Sequence, residues 1–123
     1  MRFVPICGDN RDRVVLLSDY KAGNLYKNIC LGRSYFYFKS FFTAYYISYE
    51  DIKCAFKRVK VLPHKNGSLQ VDYLVISDGI KELAEIQFAG RKAACEVFDE
   101  LKKRCSNASF NCPKELKSDT PTV

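Results

Sequence analysis

A chain of 123 residues, 47 % apolar and 28 % charged, has the make-up of one soluble globular domain that buries about two-thirds of its unfolded surface without staples. That composition excludes a disordered polyelectrolyte, and no window approaches the roughly 18 consecutive apolar residues of a membrane-spanning helix. The net charge of +6 permits attraction to polyanions but serves solubility equally well.

Residues 1–12 read as a lead-in, with Phe3, Val4 and Ile6 on an edge strand and Gly8-Asp9-Asn10 as a turn. Nothing there is long enough for the apolar core of a signal peptide, so the expected location is cytoplasmic. Val14-Val15-Leu16-Leu17 is a compact apolar run that predicts a strand ending at Ser18-Asp19. From Asp19 to Ile29 the pattern is mixed: Gly23-Asn24 argues for a loop, while Tyr20, Leu25 and Tyr26 fit one short helix.

The next stretch is the densest in the chain. Tyr35, Phe36, Tyr37, Phe38, Phe41, Phe42, Tyr45, Tyr46 and Tyr49 are nine of the seventeen aromatic residues (eight Tyr, nine Phe). They predict strands over Ser34–Phe38 and Phe41–Ser48, with Lys39-Ser40 as a turn or bulge and Tyr49-Glu50-Asp51 as the following turn. Between Ile52 and Val71 there is no acidic residue, and Lys53, Lys57, Arg58, Lys60 and Lys65 make the segment basic. In the strand Ile52–Leu62 the apolar parity changes between Phe56 and Val59. A β-bulge near Lys57-Arg58 would keep all five apolar residues facing inward.

Asn66-Gly67, at the end of the loop Pro63–Gly67, and Ser77-Asp78-Gly79 are hairpin signals that flank strands Leu69–Ile76 and Ile80–Phe88. After Gly90, Ala94, Val97, Phe98, Leu101 and Cys105 recur at helical spacing, with Asp99–Lys103 and Glu100–Arg104 placed for i,i+4 pairs. Short hairpins and no helix-length crossovers argue against a parallel βαβ fold. The expectation is an α+β domain over residues 1–105: a curved antiparallel sheet or partly open barrel of six to seven strands capped by one C-terminal helix. A flexible tail is expected over 106–123, with Pro113–Val123 solvated.

Leu31–Phe38 followed by Tyr46–Val59 resembles an uncharacterised group of small bacterial pleckstrin-homology-like (PH-like) proteins. In that group an aromatic strand leads to an I-x-Y-x-D-I turn and a strand ending in R-V, here Ile47-Ser48-Tyr49-Glu50-Asp51-Ile52 and Arg58-Val59. The resemblance is firmest over residues 31–62 and covers 31–104 in all. It implies the same barrel-and-helix fold, and a superfold that hosts lipid-, peptide- and protein-binding functions. Lys21, Lys27 and Arg33 occupy the segment that holds phosphates in phosphoinositide binders, without the tight Lys-x-Arg spacing of that site.

No catalytic constellation emerges. His64 is the sole histidine and sits in a turn-rich loop; Glu50-Asp51 fits turn chemistry, and Asp99 and Glu100 fit a solvated helix face. The six glycines are scattered without a phosphate-cradling motif, and the six cysteines contain no Cys-x-x-Cys pair, so no cofactor or metal is expected. The cysteines are expected to be reduced and mostly structural.

Two binding surfaces remain. Outward-facing aromatics, with Tyr35, Tyr37, Phe42 and Tyr46 as candidates, would dock a protein partner or a second copy of the chain. Lys53, Lys57, Arg58 and Lys60 would contact nucleic acid or anionic lipid. The protein-contact reading on a non-catalytic scaffold is preferred, with the basic strand as its alternative.

Overall fold

The computed structural model of the protein describes residues 1–88, 90–106 and 108–110. Its elements run β1 (Arg2–Pro5), α1 (Arg13–Lys21), β2 (Asn24–Tyr26), β3 (Ile29–Leu31), β4 (Tyr35–Ser40), β5 (Thr43–Ser48), a 3₁₀ turn (Tyr49–Asp51), β6 (Cys54–His64), β7 (Gly67–Ser77), β8 (Glu82–Gln87) and α2 (Arg91–Arg104). One sheet has the order β1-β5-β4-β3-β2, antiparallel except that β1 lies parallel to β5 at the edge. The second is the antiparallel meander β6-β7-β8. The chain is therefore α+β. Among the described residues it has eight strands in two sheets that are not closed into a barrel, and two α-helices rather than one.

The second helix in the count is α1, where the sequence predicts a strand over Val14–Leu17. Asp12 decides the matter by accepting a hydrogen bond from the Val14 amide (2.9 Å) at the helix N-cap, which nucleates the first turn. Leu16 and Tyr20 then stand one turn apart and face the sheet together, while Val14 and Val15 point to solvent. The β-branched pair that suggests a strand lies on the face that packing does not constrain.

This helix changes the status of the aromatic run. Tyr35, Tyr37 and Tyr46 share one face of the sheet with Cys30, and α1 covers them through Leu16 and Tyr20, with Phe3 of β1 alongside. The rings meet mainly edge-to-face, Tyr20 to Tyr37 at 5.2 Å and Tyr35 to Tyr46 at 5.7 Å. Phe36, Ile47 and Leu31 occupy the opposite face and enter the main core with Leu74, Ile76, Ile86, Ala94, Val97 and Leu101. Both faces of the aromatic sheet are thus packed.

The predicted bulge near Lys57-Arg58 is absent. β6 pairs with β7 without a break from Cys54↔Ser77 to His64↔Gly67, and the register shift lies instead between Ile76 and Ser77 where β8 pairs. The parity change has a different cause. Val59 and Val61 stay on the face of buried Ala55 but lie on a two-stranded arm beyond the core, where both are exposed. The hairpin turn at its end is Lys65-Asn66, so the strands run through Pro63 and His64, which the sequence assigns to a loop.

Helix α2 buries Ala94, Val97 and Leu101 as its spacing predicts, and Glu100 pairs with Arg104 at 3.1 Å; the partner of Lys103 is Glu100, not Asp99. Past the helix, Ser109 continues the sheet: its amide donates to the Lys53 carbonyl and its carbonyl accepts from the Ala55 amide. Ala108 and Phe110 pack against the core. Of the tail expected over 106–123, residues 107 and 111–123 lie outside the described residues. Cys7, Cys30, Cys95 and Cys105 are free thiols, and burial raises those of Cys30 and Cys105 to about 11.

Candidate functional site

The basic strand is divided by its own geometry. Alternation along the unbroken β6 puts Arg58 and Lys60 on one face and Lys57 on the other. On the first face the cations meet carboxylates that reach across β7: Arg58 binds Glu82 and, at 2.8 Å, Glu85, while Lys60 binds the second Glu85 oxygen at 2.7 Å. The Lys60 ammonium also sits 4.8 Å from the centre of the Tyr73 ring. Lys57 stands 4.0 Å from Asp72, and Lys53 donates to the Glu50 carbonyl at 3.0 Å. Three of the five basic residues in the segment that lacks acidic residues, Lys57, Arg58 and Lys60, are thus paired in space with carboxylates of β7 and β8. Spacing within β6 could not disclose this, because the partners are 24 to 27 positions away for Arg58.

The pairing makes a pH prediction. Burial alone would raise the Glu85 carboxyl, but hydrogen bonds from Lys60 and Arg58 outweigh it and hold the group below its ordinary value of 4.5. A folded pKa below the unfolded one adds stability above the ordinary carboxylate range and loses it as pH falls through the folded value. Glu85→Gln is expected to lower unfolding stability by about 1 kcal/mol at neutral pH, the upper end for a partly exposed pair. Urea titrations near pH 7 and near pH 3 should show that deficit closing in acid; an unchanged deficit would contradict the assignment.

The aromatic candidates divide as sharply. Tyr37 and Tyr46 are buried and Tyr35 is half-buried, all three beneath α1. The Tyr37 hydroxyl donates within reach of the Leu16 carbonyl (3.1 Å) and the Asp19 carboxylate (2.9 Å), and burial, followed by that carboxylate, raises its pKa. Phe42 alone of the four is open to solvent. It is 84 % exposed, and its neighbour Phe41 is 90 % exposed.

Phe41 and Phe42 form the two-residue turn between β4 and β5, with Ser40 paired to Thr43. Phe41 has φ = 56°, in the left-handed region that hairpin turns normally fill with Gly or Asn. The turn is nonetheless anchored, because the Arg2 amide donates to the Phe42 carbonyl at 3.0 Å. Basic residues neighbour it along the backbone at this end of the sheet. Lys39 precedes it, Arg2 adjoins it, and Lys27 lies in the β2–β3 turn, whose Asn28 carbonyl accepts from the Lys39 amide. From Tyr20 to Tyr49 the chain holds no acidic residue. The result is an apolar knob on a cationic collar.

At the other end of β4, Asp19 does the positioning. Its carboxylate accepts from the backbone amides of Arg33 (2.9 Å), Ser34 (3.2 Å) and Tyr35 (3.3 Å) as well as from the Tyr37 hydroxyl. The Gly32 carbonyl accepts from the Tyr49 hydroxyl at 2.7 Å and from Arg104 at 2.6 Å. Burial raises the Tyr49 pKa, against the opposing pull of Arg104. One acidic side chain, 14 to 16 positions from the amides it binds, thus ties α1 to the β3–β4 loop, and Gly32 ties that loop to α2.

His64 stands at the exposed far end of the β6–β7 arm, and Glu50-Asp51 lies in the 3₁₀ turn capped by Ser48. Among the described residues, no three His, Cys, Asp or Glu side chains come together as a metal site, and no helix is long and apolar enough to cross a membrane. No protein-family model, curated protein or solved structure matches the chain.

Proposed function

We propose that this chain is a non-catalytic binding module on a PH-like scaffold, working in the cytoplasm, and that it docks a separate protein through the Phe41–Phe42 knob. The scaffold reading is supported by topology. Without β1 and α1, what remains is seven strands followed by a C-terminal helix, which agrees with the resemblance in strand number and element order, though the two sheets are not closed into a barrel.

One observation carries the docking reading. A bulky aromatic held at positive φ costs on the order of 1–2 kcal/mol, and Phe41 recovers none of it by packing because its ring is in water. Gly would serve the turn better. An exposed aromatic pair at a strained, backbone-anchored tip fits a contact surface, where rigid rings supply large area at small entropic cost. The cationic collar selects the partner's chemistry: an apolar pocket with carboxylates on its rim. A second copy of this chain, itself at +6, is the poorer complement.

The purified chain should sediment as a monomer up to high micromolar concentration. It should also fail to pellet with vesicles of phosphatidylcholine mixed with phosphatidylserine. Reversible self-association lost in Phe42→Ser would replace the separate partner with a second copy. Vesicle binding lost in the same variant would replace it with an anionic lipid surface. The basic-strand alternative is weakened by the ion pairs that occupy Arg58 and Lys60.

A further inference from the structure

Opposite the knob, at the Tyr35/Ser48 end of the same two strands, is an open cleft of about 440 Å³. It lies roughly 17 Å from the knob along β4. Four stretches distant in sequence build it. Arg11 comes from the segment before α1, Arg33, Ser34 and Tyr35 from the β3–β4 loop and the start of β4, Ser48, Tyr49 and Glu50 from the end of β5, and Arg104 from the last turn of α2.

Three arginines thus line a space with one acidic residue, Glu50, in its wall. Arg104 is fully employed: it binds the Gly32 carbonyl and Glu100, and it lies 5.7 Å from the centre of the Tyr49 ring. Arg11 and Arg33 differ. Their backbone amides are pinned, Arg11 by the Tyr46 hydroxyl at 2.9 Å and Arg33 by Asp19, yet both exposed side chains make no ion pair among the described residues. Every other cation discussed above for β6 has an acceptor; these two are displayed from fixed backbones and left without one. Asp19 therefore has a second consequence beyond stability, since it sets the direction in which Arg33 leaves the loop.

We infer that this cleft binds a small phosphate monoester, with Arg11 and Arg33 taking the phosphoryl oxygens and the Tyr35 ring flanking the organic group. Guanidinium forks match phosphate oxygens two at a time, which an ammonium cannot do. Ser34 and Tyr35 line the same cleft, and each carries a further hydroxyl group. The volume suits a ligand of mononucleotide size and falls in the usual range for small-molecule sites. The inference stands apart from the knob: neither residue set overlaps the other.

The test is a ¹⁵N-labelled NMR titration of the whole chain with inorganic phosphate, phenyl phosphate and AMP at low salt. The expected result is saturable shifts confined to residues 11, 33–35 and 48–50, with the two monoesters binding more tightly than phosphate. Arg11→Ala and Arg33→Ala, both on exposed side chains, should each weaken binding at least about tenfold, and the charge-preserving Arg33→Lys should weaken it clearly. A Lys53→Ala/Lys57→Ala control should bind as the wild type does. Shifts centred on β6, equal binding by Arg33→Lys, or no saturable shifts would each overturn the assignment. Selective binding of phenyl phosphate would mark a flat aromatic ester as the natural class, and selective binding of AMP a nucleotide.

Discussion

Asp19→Ala is expected to destabilise the protein by about 3 kcal/mol, lowering its melting temperature by roughly 10 °C. The side chain accepts three backbone N–H bonds and one tyrosyl O–H bond, and Ala leaves the Tyr37 hydroxyl with only the Leu16 carbonyl. Donors stripped of an ionised acceptor cost more than the net worth of one ordinary hydrogen bond. Gly32→Ala should do comparable damage by another route. A Cβ there would overlap the Asp19 carboxylate and stand 2.9 Å from Cε1 of Tyr37, a ring with no room to retreat. The pair should be strongly non-additive, because each removes the same junction. Urea unfolding of the two single variants and the double variant measures this. A loss below 1 kcal/mol for Asp19→Ala would show that the junction is incidental.

That junction was the least legible part of the molecule. Asp19 reads as the end of a strand when Val14–Leu17 is taken for one, and its acceptor role depends on amides that only folding brings near. The signal that could have found α1 was local: Asp12 two residues ahead of Val14, and Leu16 and Tyr20 at i,i+4. The β-branched Val14-Val15 pair masked it, and both residues proved to be exposed. Once α1 is missed, the second face of the aromatic sheet has no cover, so Tyr37 and Tyr46 look available when they are not, and half-buried Tyr35 looks fully open.

Elements are legible in the sequence where every residue answers to one core. Ala94, Val97, Leu101 and Cys105 repeat at helical spacing because all four are buried against the same sheets. The β7–β8 hairpin was legible for the same reason, through Leu74, Ile76 and Ile86. The rule fails on the β6–β7 arm. There the strand outruns the core, nothing forces Val59 and Val61 inward, and parity ceases to report a bulge. The aromatic count pointed to the right sheet, but it could not separate core rings from the turn. Register alone does that, by pairing Ser40 with Thr43 and leaving Phe41 and Phe42 outside the ladder.

Phe41→Gly combined with Phe42→Ser is expected to act in opposite directions on stability and on binding. Gly relieves the left-handed strain at position 41, and neither ring packs in the free protein, so stability should rise by about 1 kcal/mol. Partner recovery from native cells with the tagged double variant should fall at least about thirtyfold, as when a central aromatic anchor is removed. A gain in stability with a loss of contact identifies a residue kept for binding. Destabilisation by 1 kcal/mol or more would mean that the rings pack within the fold and the knob is structural.

The most direct measurement replaces Phe42 with the photo-reactive benzoylphenylalanine and irradiates living native cells, with the same residue at exposed Lys102 on α2 as the control. The account predicts a discrete covalent adduct with one other protein from position 42, none from position 102, and loss of the adduct when Phe41→Gly is added. No adduct from position 42, or the same adducts from both positions, would contradict it.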